Sequence, residues 1–126
     1  MIYKALSIKP PWIELIISGK KWIETRTWQT NYRGKILLVS CKTADEYVAR
    51  HFRGLFEPMP RGHALAIANL VDCVPMKKQH AGKGGSMCDY IPVLYSWIFK
   101  DVEAINPFPV RGQLKIYDVE VPDDKA

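Results

Sequence analysis

The densest chemistry lies at residues 19–28, Gly-Lys-Lys-Trp-Ile-Glu-Thr-Arg-Thr-Trp, with three cations, one carboxylate and two indoles in ten residues. On a strand, side chains alternate between faces. Trp22, Glu24, Arg26 and Trp28 then share one face, and Lys21, Ile23, Thr25 and Thr27 the other, with Ile23 as the natural core residue. A carboxylate and a guanidinium flanked by aromatics suit a flat, hydrogen-bonding ligand such as a nucleobase. The rigid fork of Arg26 suits carboxylate or phosphate, and an aromatic under a base contributes about 1–3 kcal/mol. The plainer reading is a solvated face with a Glu24–Arg26 ion pair contributing less than about 1 kcal/mol.

Other residues have the right chemistry to join such a wall. Lys9-Pro-Pro-Trp12 sets an indole at a helix start beside a cation, as a pocket rim or as a cap on the core. Tyr95 and Trp97 share a strand face, where aromatic pairs pack a core or reach a cleft. Arg111, followed by Gly112, offers a phosphate contact or a surface charge. The stretch 77–85, with three lysines and one histidine, could follow a polyanion backbone or be a mobile solvated loop. It lacks the spacing of a P-loop. His51, His63 and His80 are far apart, and Cys41, Cys73 and Cys88 have no zinc-ligand spacing, so neither a metal nor a cofactor is expected.

The elements that must position these groups can be read from pattern. Tyr3 to Ile8 is a strand. Pro10 and Pro11 lead a short helix, Trp12 to Ser18, which Gly19 stops. Strands follow at Lys21–Trp28 and Lys35–Cys41. Thr43 to Glu46 matches a capping box for a helix that ends near Gly54. His63–Val74 is a long, central strand. Pro75–Asp89 has no periodicity, and fifteen residues is long for a bare connection. Strands at Val93–Phe99 and Gln113–Val121 follow, with Pro107 and Pro109 marking an extended segment or edge. Residues 122–126 read as a polar tail. About six strands and two short helices suggest a small barrel or curved mixed sheet.

Composition bounds the function. A chain of 126 residues, 48% hydrophobic and 25% charged, is one globular domain rather than a disordered segment. No apolar run approaches the ~20 residues that span a bilayer, and the first residues lack a signal peptide's apolar segment, so a cytoplasmic location without membrane association is expected. A net charge of +5 favours an anionic partner, nucleic acid first.

Taken together, Leu6-Ser-Ile-Lys-Pro-Pro-Trp12, Ile16-Ile-Ser-Gly-Lys-Lys-Trp-Ile-Glu-Thr-Arg26 and Pro109-Val-Arg-Gly112 resemble an ASCH (activating signal cointegrator homology) domain. Its Gly-x-Lys-x-x-Glu-x-Arg pattern is matched by Gly19, Lys21, Glu24 and Arg26. The resemblance implies an α+β fold, a PUA-like pseudo-β-barrel of about six strands with two or three short helices, over residues 1–121. It also implies that Lys21, Glu24 and Arg26 line one cleft, which requires Lys21 to lie in the turn before the strand. The implied function is binding of RNA or a modified nucleotide or nucleoside, with Lys9, Trp12, Lys21, Glu24, Arg26, Trp28, Tyr95 and Arg111 as ligand-binding residues. The alternative is a metal-independent nucleoside amidohydrolase or ribonuclease with Lys21 and Glu24 as its catalytic pair. Some relatives hydrolyse N4-acetylcytidine with a Lys, a Thr and a Glu. Glu24 stands here at the place of that Thr, and no Glu occurs between Glu57 and Glu103. A protein partner on the aromatic surface, with the cleft vestigial, is a third reading. The residues leave the oligomeric state open.

Overall fold

The computed structural model describes residues 1–125, so residue 126 of the expected tail lies outside the described residues. The elements are β1 (Ile2–Ile8), α1 (Trp12–Ile17), β2 (Ile23–Arg26), β3 (Gly34–Ser40), α2 (Glu46–Phe52), β4 (His63–Pro75) and, after two short 3-10 turns (Lys78–His80 and Gly82–Gly84), β5 (Tyr95–Pro109) and β6 (Ile116–Glu120). The six strands form one mixed sheet in the order β2-β5-β4-β3-β1-β6. β1 and β3 run parallel, and all other neighbours are antiparallel.

The middle of the sheet is apolar on both faces, which is why Ile36-Leu-Leu-Val39 reads as an unbroken hydrophobic run. Ile36 and Leu38 join one buried cluster with Leu6, Ile8, Leu70, Trp97 and Phe99, and α1 covers it with Ile13 and Ile16. Leu37 and Val39 point the other way, into a second cluster with Ala5, Ala64, Tyr117 and Val121. Ile105 and Phe108 of β5 pack on this second cluster beside Val119 of β6. β5 and β6 are not paired, yet both lay side chains on this one cluster, so the sheet curls around it. Closure by packing rather than by a ladder makes the barrel a pseudo-barrel. Register shifts between β4 and β5, at Ala64/Ala66, Ile67/Asn69 and Leu70/Asp72, supply the twist that bulges bring.

Several boundaries differ from the sequence reading, β6 among them, which runs Ile116–Glu120 rather than Gln113–Val121. β2 is four residues long rather than eight, because Trp22 and Trp28 leave the ladder. β5 runs on through Pro107 and Pro109. It can do so because β2 pairs only with Tyr95–Ile98, which leaves one edge of the remainder unpaired, where proline is tolerated. The cap of α2 is Asp45, not Thr43: its carboxylate accepts from the Val48 N–H at 3.4 Å. Glu46 is drawn away to Arg61, 2.6 Å distant, and cannot complete the expected box.

Candidate functional site

Gly19, with φ of +85°, turns the chain after α1, and the Lys21 N–H donates back to the Leu15 carbonyl at 3.1 Å. Lys21 therefore sits in the turn ahead of β2, and strand alternation does not reach it. Its side chain is 1% exposed. The ammonium donates to the Ser86 carbonyl, lies 3.7 Å from Glu24 Oε1 and stands 5.2 Å from the centre of the Trp12 ring. Glu24 Oε2 accepts from Arg26 Nη2 at 3.3 Å, and the same nitrogen donates to the Ser7 carbonyl. Two cations thus fix one carboxylate, each at its own oxygen.

The expected face pairing of Glu24 with Arg26 holds, but that face looks inward. Glu24 is opposite the fully buried Trp97, and Arg26 is opposite Tyr95. Directly opposed residues project to the same side. Ile23, on the other side, is buried under the chain at Gly85.

That chain is the loop which composition leaves structureless. The Gly85 carbonyl accepts from Trp22 and Ile23 N–H groups at 3.0 and 3.1 Å. Ser86, fully buried, donates its N–H to the His80 carbonyl at 3.0 Å, and its hydroxyl accepts from the Cys88 N–H at 3.2 Å. The loop is an ordered clasp that presents the Ser86 carbonyl to Lys21. Two glycines permit it. A Cβ on Gly84 would lie 1.7 Å from the Gln79 carbonyl oxygen, and one on Gly85 would lie 2.7 Å from Trp22 Nε1.

Glu24 and Arg26 face a cavity of about 200 Å³, completed by Ser7, Lys9, Trp12 and Cys41. Trp12 is anchored at its far end, where Nε1 donates to Asp45 Oδ2 at 3.3 Å, so the cap of α2 also sets the indole. A second cavity of about 340 Å³ shares Ser7 and Cys41 with the first and adds Lys42, Gln113 and Arg111. The two adjoin at these shared residues, the first as an inner compartment and the second as an outer one. Burial pushes the Cys41 thiol up, against the pull of Arg26 and Lys9, so it is a protonated wall rather than a thiolate.

The structure thus brings Lys9, Trp12, Glu24 and Arg26 to the inner compartment and Arg111 to the outer one. Lys21 lies behind Glu24 and lines neither. Trp28 and Tyr95 are elsewhere, packed against the first core cluster, with Trp28 edge-on to Trp97 at 4.7 Å. Trp22, 42% exposed, is turned to the clasp. None of Lys77, Lys78 and Lys83 lines either compartment. Ser7, Cys41 and Lys42 were not singled out by sequence as cleft residues. They sit at the adjacent ends of β1 and β3, which only the parallel pairing brings together. Among the described residues, no three of His, Cys, Asp and Glu gather as metal ligands would.

This curled six-stranded sheet with its side cleft defines an ASCH-type fold. Crystal structures of ASCH from Zymomonas mobilis and of its Y47F variant both superpose with a TM-score of 0.60 at 12% identity, over 96% of this chain and 88% and 91% of theirs. Residues 6–111 match the ASCH domain family model, and the chain belongs to that family. Activating signal cointegrator 1 of Homo sapiens and that of Mus musculus are each 27% identical over 91% of this chain, which spans only 22% of their length. The family is associated with RNA binding. No helix among the described residues is long and apolar enough to cross a membrane.

Proposed function

We propose that this ASCH domain binds RNA through an unpaired nucleotide whose base enters the inner compartment. The observation that carries the reading is the Glu24 carboxylate, held between Lys21 and Arg26 and turned to a cavity walled by Trp12. Base edges present N–H donors beside acceptors. Glu24 takes the donor. Arg26 Nε and Nη1, which have no partner among the described residues, serve the acceptor. Protein recognition of RNA sequence works largely on unpaired bases, by stacking and edge hydrogen bonds. The net charge of +5 supplies attraction to the backbone.

Binding of fluorescent single-stranded RNA, titrated at several salt concentrations against a duplex of the same sequence, tests this. Preference for the single strand, weakened by Glu24→Ala, is expected. No affinity even at low salt would reject it. The hydrolytic alternative has less support, because Lys21 is engaged by Glu24, Ser86 and Trp12 and does not line the cavity.

A further inference from the structure

Base binding accounts for the inner compartment and leaves the outer one unused. Its cations differ in kind from those beside Glu24. Most arginines of this chain meet a carboxylate: Arg26 has Glu24, Arg33 has Asp72, and Arg53 and Arg61 share Glu46. Among the described residues only Arg50 and Arg111 have none, and Arg111 is the one in a cavity. Lys42, which lines the same cavity, has no acidic partner either, and its own carbonyl accepts weakly from Arg61 at 3.5 Å. No carboxylate lines this compartment. Two unpaired cations in a concave, acid-free site favour a bound anion.

The position of the anion relative to the base is also constrained. Ser7 and Cys41 line both compartments, so the two adjoin, and an anion in the outer one lies beside a base in the inner one. Ser7 is held rigidly for this: its hydroxyl bonds the Tyr117 hydroxyl at 2.6 Å, and its carbonyl accepts from Arg26. Gly112 packs on that hydroxyl. A Cβ there would stand 3.3 Å from Ser7 Oγ, so the missing side chain brings the Arg111 segment close to the shared wall.

We infer that the outer compartment is a phosphate subsite, formed by Lys42 and Arg111, that takes the phosphate attached to the bound nucleoside. The recognised unit is then a single nucleotide rather than a free base or a length of backbone. This rests on the RNA-binding reading above. The phosphate could be a terminal monoester or an internal diester, since both present non-bridging anionic oxygens to the two cations.

Calorimetric titration with the four ribonucleosides, their 3′- and 5′-monophosphates and short single-stranded RNA decides the matter. At least one monophosphate is expected to bind about tenfold more tightly than its nucleoside. Arg111→Ala and Lys42→Ala are expected to weaken the monophosphate more than the nucleoside. Whether the 3′- or the 5′-series carries the gain separates the two phosphate positions, and RNA matching the monophosphates identifies a diester. Equal affinity of nucleosides and monophosphates, or equal weakening of both by Arg111→Ala, overturns the subsite. If RNA still binds in that case, the RNA-binding reading survives alone. If neither RNA nor any nucleotide binds, both fall.

Discussion

Glu14 and Glu24 are ten residues apart and equally buried, each 9% exposed, yet they meet opposite surroundings. Glu24 has a cation at each oxygen. Glu14, inside α1, has no hydrogen-bond partner at either oxygen, and burial pushes its carboxyl up to about 6. The contrast separates a carboxylate built into a site from one carried by the packing of a helix. Of the two, Glu24 is the one that opens on a cavity and the one whose oxygens meet cations. Under the proposed function the oriented, partnered carboxylate serves recognition, whereas a bare one in a helix is a stability cost.

The largest effect should come from breaking the partnered side. Glu24→Ala leaves the Lys21 ammonium buried without an anion, a change that costs about 3–5 kcal/mol. Urea unfolding should show the loss, and a value below 1 kcal/mol means that water already reaches Lys21. Next is the clasp that holds Lys21. Gly85→Ala forces a Cβ against Trp22 in a backbone conformation of φ +127° and is expected to cost about 1–3 kcal/mol. Urea unfolding followed by tryptophan fluorescence, to which Trp22 is one of four contributors, measures it.

The unpartnered side gives a smaller effect of the other sign. A Glu14 carboxyl with a folded-state value near 6, above the ordinary 4.5, holds its proton more tightly in the folded chain. Its contribution is full below about pH 4.5 and is lost as pH rises through 6. Glu14→Met should therefore stabilise the protein at pH 7.5 by about 1–2 kcal/mol and flatten stability between pH 4.5 and 6.5, read by thermal melts across that range. The smallest stability change belongs to the exposed Arg111. Arg111→Ala should move unfolding by less than about 0.5 kcal/mol while lowering the salt dependence of RNA binding by about one ion. An equal fall for Arg50→Ala, at an exposed arginine outside the cleft, would assign the salt effect to overall charge.

How much of this was readable in sequence depends on the range of the interaction. Gly19 marks the end of α1 because the signal is local, and Ile36–Val39 reads as a central strand because both faces are apolar. Glu24 and Arg26 stand out by residue type. Their inward orientation does not, since it depends on β2 pairing with Trp97 across more than seventy residues of chain. The clasp is invisible to hydrophobic pattern because backbone carbonyls and two bare glycines order it. Trp28 and Tyr95 share composition with ligand platforms, and only packing shows that the core takes them. The bulges of β4 and β5 break alternation, so fifteen residues of strand look like seven.

The unpaired stretch of β5 has one further consequence. Beyond Phe99, whose N–H still donates to the Trp22 carbonyl at 2.9 Å, this strand has no ladder partner on the β2 side among the described residues, and a long bare edge invites a second chain to add a strand, the first step of aggregation. Pro107 and Pro109 lack the N–H groups such an intruder needs, and Lys100, Asp101 and Glu103 confront it with exposed charge. The residues that look least like a strand are the ones that let this strand end safely in water.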